Sequence, residues 1–161
     1  MLKIYEKNLI KFIFKIIFLI FSIIFLYFRP FFITKVVGSS MEPTFKSGQI
    51  ILTNSFDKNY SIGDVVLAEQ NSELILKRIA YVGGQKIPIV DLGIRKYQPL
   101  PIIKNMDDHM QHLRNEGIRS EYLTIPQNHV FLIGDNGNES EDSRSFGPLP
   151  IEKIKAKIVE F

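Results

Sequence analysis

The sequence predicts a mostly β, barrel-like domain behind a single N-terminal transmembrane helix. Three observations carry that expectation. The first 35 residues are mostly Ile, Phe, Leu and Lys, and the composition turns mixed and charged beyond Thr34. Short β-rich runs then follow one another, separated by Gly and Asn/Asp punctuation. Only one later segment has helical character, and many short strands with few helices point to an all-β or β-rich barrel-like body.

The first element is the apolar run. Residues 16–28 read "IIFLIFSIIFLYF" without a charge, and the 20 residues of 9–28 are interrupted only by Lys11 and Lys15. A spanning helix needs roughly 20 mostly apolar residues for a hydrocarbon core of ~30 Å. Lys3, Lys7, Lys11 and Lys15 recur every four positions and form one helical stripe. Lysines at one end can snorkel into headgroups. The expected partition is a basic cytoplasmic or interfacial start at 1–15, a transmembrane anchor at 16–33, and a β-rich domain at 34–161. Basic residues at the start predict a cytoplasmic N-terminus, with the rest on the outer face. A cleaved signal peptide is the competing reading, but Arg29, Pro30, Phe31 and Phe32 offer no small-x-small exit. A buried soluble helix is disfavoured, because Phe and Ile cover every face.

The strand candidates follow in order: "QIILTNS" (49–55), "DVVLAE" (64–69), "ELILKRIAYV" (73–82), "QKIPIV" (85–90), "HVFLIG" (129–134) and "IKAKIVEF" (154–161). "NMDDHMQHLRNEG" (105–117) is the helical segment, with Asn105 as cap and Gly117 as stop.

Composition narrows the chemistry. The formal charge is +3, but four of the lysines sit in the N-terminal stripe, so the body is near neutral and gives no nucleic-acid signal. There is no cysteine, which excludes disulfides and thiolate chemistry. His109 and His112 lie three apart beside Asp107 and Asp108. That spacing suits a metal pair, but a solvated helix face explains it better, given so few ligand types nearby. His129 opens a strand. No cofactor or metal is expected.

The stretch "VVGSSMEPTF" (36–45) holds two serines ahead of a Pro-Thr turn, with no histidine near it in sequence. A lysine can act as base if burial keeps it neutral. Lys77 sits inside an apolar strand and shares a face with Ile75 and Ile79. An edge-strand lysine, or one paired with Glu69 or Glu73, explains the same pattern.

A third segment, "GDNGNESEDSRSFGPLP" (134–150), joins "GSSMEPT" and "LKRIAYVGG" in an ordered set. Together they resemble the bacterial type I signal peptidases, membrane-anchored serine endopeptidases with a Ser-Lys dyad. The match covers nearly the whole chain. The resemblance implies Ser40, before Met41, as nucleophile, with Pro43 and Thr44 completing its box. It implies Lys77, followed by Arg78, as general base. "IGDVV" (62–66) resembles the family's intermediate strand box. Ser140 stands where a hydroxyl helps to orient the lysine. Asp142 and Arg144 stand where the family keeps a structural ion pair, and Gly134, Asp135 and Asn136 open that box. The family often has a serine two residues before the nucleophile, as an oxyanion donor. Here that residue is Gly38, as in some relatives, and Ser39 on an extended chain would point away.

The stretch between Gly84 and Ile125 is short beside that of larger relatives, which implies missing accessory substructure. The implied substrates are signal peptides of preproteins, bound extended, with small residues at the first and third positions before the cut. Their pockets are expected at 33–38 and 74–77. Membrane lipid is the other expected partner, and the implied location is the cell membrane. A conjugation-associated processing protease with one dedicated substrate stays open within this reading. So does a non-catalytic membrane-tethered adaptor. Soluble repressor-cleaving Ser-Lys autoproteases fit less well, because an anchor stands where their DNA-binding module would be.

Overall fold

The structure, a computed structural model, describes residues 2–28 and 31–159. Helix α1 (Leu2–Phe28) is followed by β1 (Phe31–Lys35), β2 (Ile50–Asn54), β3 (Val65–Gln70), β4 (Glu73–Val82), β5 (Lys86–Val90) and β6 (Gln98–Pro99). Helix α2 (Met106–Asn115), β7 (Ser120–Thr124), β8 (His129–Ile133), the one-turn α3 (Ser143–Phe146), β9 (Leu149–Pro150), a 3-10 turn (Ile151–Lys153) and β10 (Ile154–Ile158) complete it. The chain is mostly β, as expected.

Within α1, the segment Leu9–Tyr27 is long and apolar enough to cross a membrane, and none of it is buried in the protein. Its 19 residues, at 1.5 Å rise each, reach about 28 Å, near the ~30 Å of a hydrocarbon core. The expected span ran to residue 33, but residues 31–33 belong to β1, which pairs antiparallel with β2. A proline at 30 gives the reason in the sequence, since proline lacks the N–H that a helix would use. Residues 29 and 30 lie outside the described residues.

Seven strands form one sheet in the order β1-β2-β10-β3-β4-β8-β9, and β6-β5-β7 form a second. Among the described residues the large sheet runs from β1 to β9 without closing, so the barrel-like expectation reduces to an open sheet. The segment expected to lack accessory substructure carries this second sheet and α2. Strand β7 was absent from the sequence reading. Its residues, SEYLT, are mostly polar and bury only Ser120 fully.

Two apolar clusters bear on the segments described below. One holds Val66, Ala68, Ile79, Val130, Leu132, Leu149 and Ile154. Another holds Val36, Met41, Phe45, Ile51, Val65 and Ile158. Burying one such side chain fully contributes about 1.5–3 kcal/mol. Asn105 does precede α2, but in a left-handed conformation and without a side-chain cap bond.

Candidate active site

Three segments converge. The first is the turn after β1. Met41 is 1% exposed and lies in the second apolar cluster, which pins the residue next to Ser40. The chain from Ser39 to Thr44 is turned rather than extended: Glu42 N–H donates to Ser39 O at 3.0 Å, and Phe45 N–H to Met41 O at 2.9 Å. Ser39 therefore does not point into empty solvent. Its hydroxyl donates to Glu139 Oε2 at 2.7 Å. Gly38 has φ +87, and the space where a side chain would stand is open.

The second segment is β4. Register pairs Lys77 with Val66, which is fully buried, and alternation places Ile75 and Ile79 on the same face. Lys77 is 4% exposed. Its Nζ lies 2.8 Å from Ser40 Oγ. Among the described residues it forms no ion pair. Burial holds its pKa below the ordinary lysine value; Asp142 and Glu141 pull the other way, and Arg144 adds to the lowering. The paired-lysine alternative, with Glu69 or Glu73, does not hold: Glu69 pairs with Lys153 and Lys155.

The third segment is the loop after β8. Asp142 is fully buried and caps α3. It accepts from Arg144 Nε at 2.8 Å and Nη2 at 2.7 Å, from Gly134 N–H at 2.9 Å and from the Ser140 hydroxyl at 2.6 Å. Burial works against its carboxylate, yet Arg144, the Gly134 N–H and Ser140 together hold its pKa below the usual value. The hydroxyl of Ser140, expected to orient the lysine, donates its hydrogen bond to Asp142 instead, and among the described residues no hydrogen bond joins it to Lys77, whose Nζ meets Ser40 Oγ. Gly134 is a close-approach position, since a Cβ there would lie 2.2 Å from Ser140 Oγ and 2.5 Å from Ser40 O. Asn136 N–H donates to that same Ser40 carbonyl at 3.0 Å.

A brace outside the Ser40–Lys77 pair has no motif of its own in the sequence. Arg78 points to the opposite face from Lys77 and binds Asp135 through Nε at 2.9 Å and Nη2 at 2.7 Å. Arg78, with Thr44 adding a hydrogen bond, holds the Asp135 pKa down. The neighbours of Ser40, Lys77 and Gly134 are thus tied together. The only signal was adjacency: each brace residue lies within four positions of Ser40, Lys77 or Gly134.

The other candidates lie apart. His112 pairs with Glu116 at 3.3 Å on α2, and His129 Nδ1 lies 3.0 Å from Gln127 O. A cavity of about 190 Å³ opens between the end of β1 and β4, lined by Thr34, Val36, Val37, Ile51, Leu74 and Leu76.

Chemically, an amine and a hydroxyl at this distance can pass one proton. Protonated, Nζ donates to Oγ; neutral, it accepts from the Oγ–H. Comparison with known proteins gives the family. A family model described as signal peptidase, peptidase S26, matches residues 6–161. The mitochondrial inner membrane protease subunit 1 of Schizosaccharomyces pombe is 32% identical over 130 residues, 76% of this chain and 67% of that protein. Its Xenopus tropicalis namesake is 31% identical over 127 residues, 75% of this chain and 62% of that protein, so the match spans less than two thirds of it. Signal peptidase I V of Bacillus subtilis is 28% identical over 132 residues, 74% of this chain and 79% of that protein.

Proposed function

The chain belongs to the signal peptidase family of peptidases, S26, and from that premise we propose that it is a membrane-anchored serine endopeptidase that cuts signal peptides from preproteins with a Ser40–Lys77 dyad. The observation that carries the proposal is the 2.8 Å approach of Lys77 Nζ to Ser40 Oγ with the lysine 4% exposed. Serine is a weak nucleophile until a base takes its proton, and a Ser-Lys pair is one variant of triad logic.

In this reading, neutral Lys77 accepts the Ser40 proton as Oγ attacks the scissile carbonyl. The resulting ammonium then gives that proton to the leaving amine. Water, deprotonated by the same lysine, attacks the acyl carbonyl; the Ser40 ester bond breaks, and Ser40 Oγ takes that proton back from the ammonium as the carboxyl product leaves. Asp142 and Arg144 fix Ser140 and take no part in proton transfer. The substrate lies extended beside β1, the terminal strand of the large sheet, using main-chain hydrogen bonds. The cavity between β1 and β4 takes its small side chains, which supports pockets at 33–38 and 74–77.

Helix α1 is the anchor, with the N-terminus cytoplasmic and the domain on the outer face. Protease added to spheroplasts should then reach the domain after Thr34. A protected domain with a digested N-terminus would reverse the topology. A non-catalytic adaptor is disfavoured, because a buried amine without a carboxylate partner costs stability and gives an adaptor nothing in return.

The deciding experiment is cleavage of a preprotein by the full chain in detergent, beside Ser40→Ala. Equal cleavage by both proteins would end the proposal. A panel of preproteins separates general from dedicated cleavage.

A further inference from the structure

The loop that carries Ser140, Asp142 and Arg144 is held from two sides. One side is the large sheet and the nucleophile turn. The other is the small sheet, which no part of the proposed chemistry uses. Two residues of the strand-to-strand connection before β6 reach across. The Arg95 guanidinium donates through Nη2 to Gly137 O. Two positions on, Tyr97 N–H donates to Arg144 O at 3.0 Å. The Tyr97 ring also lies against Gly147, just past α3: its Cε2 is 3.3 Å from where a Cβ on that glycine would stand.

The connection is itself stiffened. Asp91 N–H donates to Arg119 O at 2.9 Å, Gly93 N–H to Asp91 Oδ1 at 2.9 Å, and Leu92 N–H to Arg95 O at 3.0 Å. Arg95 is therefore launched from a fixed turn rather than a loose one. Gly137 stands beside Arg144: a Cβ at 137 would lie 3.4 Å from Arg144 Nη1. The path of contacts from Arg95 thus runs through Gly137 to Arg144, then to Asp142, then to Ser140.

We propose that Arg95 is a positioning residue for the reaction, acting through Gly137 to keep the 136–144 loop closed over the Lys77–Ser40 pair. The proposal rests on the dyad reading above and extends it to a residue that touches neither dyad member. Its physical content is water exclusion. The charged groups that act on Lys77 are Asp142, Glu141 and Arg144, all on this loop. Around them, Asp135 is held by Arg78 and Glu139 by Ser39. The facing position on β3 is the apolar Val66, and Leu132 on β8 is fully buried. Burial is the main cause of the lowered Lys77 pKa. A loop released from Gly137 admits water, the ammonium regains solvation, and the base is neutral only at higher pH.

The test is the pH dependence of preprotein cleavage by the full chain in detergent, for the native protein, Arg95→Ala and Arg95→Lys. Arg95→Ala is expected to lose about tenfold or more in kcat near neutral pH, since small displacements of supporting groups cost that much. KM should hold, because the cavity between β1 and β4 is untouched. The acid limb of the profile should move to higher pH, so the deficit shrinks in alkali. Arg95→Lys keeps a charged donor and should recover most of the rate. An unshifted acid limb in a folded Arg95→Ala protein overturns the proposal, as does a loss equal at every pH and unrescued by lysine. Ser40→Ala, run alongside, keeps the two readings separate. If it stays active, the dyad itself fails; if it is dead while Arg95→Ala matches the native profile, the Arg95 role alone fails.

Discussion

Arg144 closes on Asp142 through two side-chain hydrogen bonds, 2.8 and 2.7 Å long, and both residues are buried. Arg144→Ala leaves that carboxylate without its cation, and breaking a buried pair this way costs about 3–5 kcal/mol. The two charges also act oppositely on Lys77, with Asp142 raising its pKa and Arg144 lowering it. Whatever activity survives Arg144→Ala should therefore have its acid limb at higher pH, and Asp142→Asn should move it lower. Denaturant unfolding and rate–pH profiles read both effects. Shifts in the same direction for the two variants would show that charge is not the cause.

Activity of the native chain should rise with pH through the pKa of Lys77, because only the neutral amine accepts a proton. Lys77→Arg should be as inactive as Lys77→Ala, since guanidinium stays protonated. Stability follows the same sign. The folded pKa lies below the unfolded one, so the unfolded chain holds more protons in the window between them, and stability rises with pH across it. Lys77→Met should abolish that slope and unfold later at neutral pH. A profile that falls steadily above neutral, with the fold intact, would remove Lys77 as the base.

Gly134→Ala is expected to fail at the site itself. Its Cβ would meet Ser140 Oγ at 2.2 Å and the Ser40 carbonyl at 2.5 Å. The second contact is backbone, so no rotamer change relieves it. Overpacking of this kind costs about 1–3 kcal/mol, and displacement of the nucleophile can cost about a hundredfold in rate. Native turnover in a folded Gly134→Ala protein would show that the nucleophile turn yields freely.

Gly38 separates backbone strain from hydrogen bonding. At φ +87, with open space around it, alanine and serine carry the same backbone penalty of roughly 1–2 kcal/mol. Only serine brings a hydroxyl towards the oxyanion, and one donor there is worth up to roughly 2.7–4 kcal/mol. Gly38→Ser should therefore turn over faster than Gly38→Ala at equal loss of stability. Equal rates would mean that the hydroxyl does not reach the oxyanion.

Legibility in the sequence followed the physics of each element. Strand β4 was readable to the residue, because "ELILKRIAYV" is a continuous β-rich run bounded by turn residues. Strand β1 was not, because Phe31, Phe32 and Ile33 extend the apolar run of α1 and look like more of it. Strand β7 was invisible because its exposed positions are polar and only Ser120 and Leu123 turn inward to any degree. At the site, residue type carried what could be read: a lysine between Ile75 and Ile79, and serines ahead of a turn. The brace from Arg78 to Asp135 spans 57 positions, and no local pattern encodes a contact at that range. The same holds for Arg95 and Gly137.

Strand β10, the last in chain order, lies between β2 and β3. Among the described residues, no other ladder joins the pair β1-β2, which leads into the Ser40 turn, to the strands that hold Lys77. A nascent chain emerging from its N-terminal end therefore completes the sheet that links the Ser40 turn to Lys77 only when residues 154–158 are available. Synthesis order then acts as a timer: the sheet that sets Ser40 beside Lys77 is complete only after everything between residues 31 and 158 has been made.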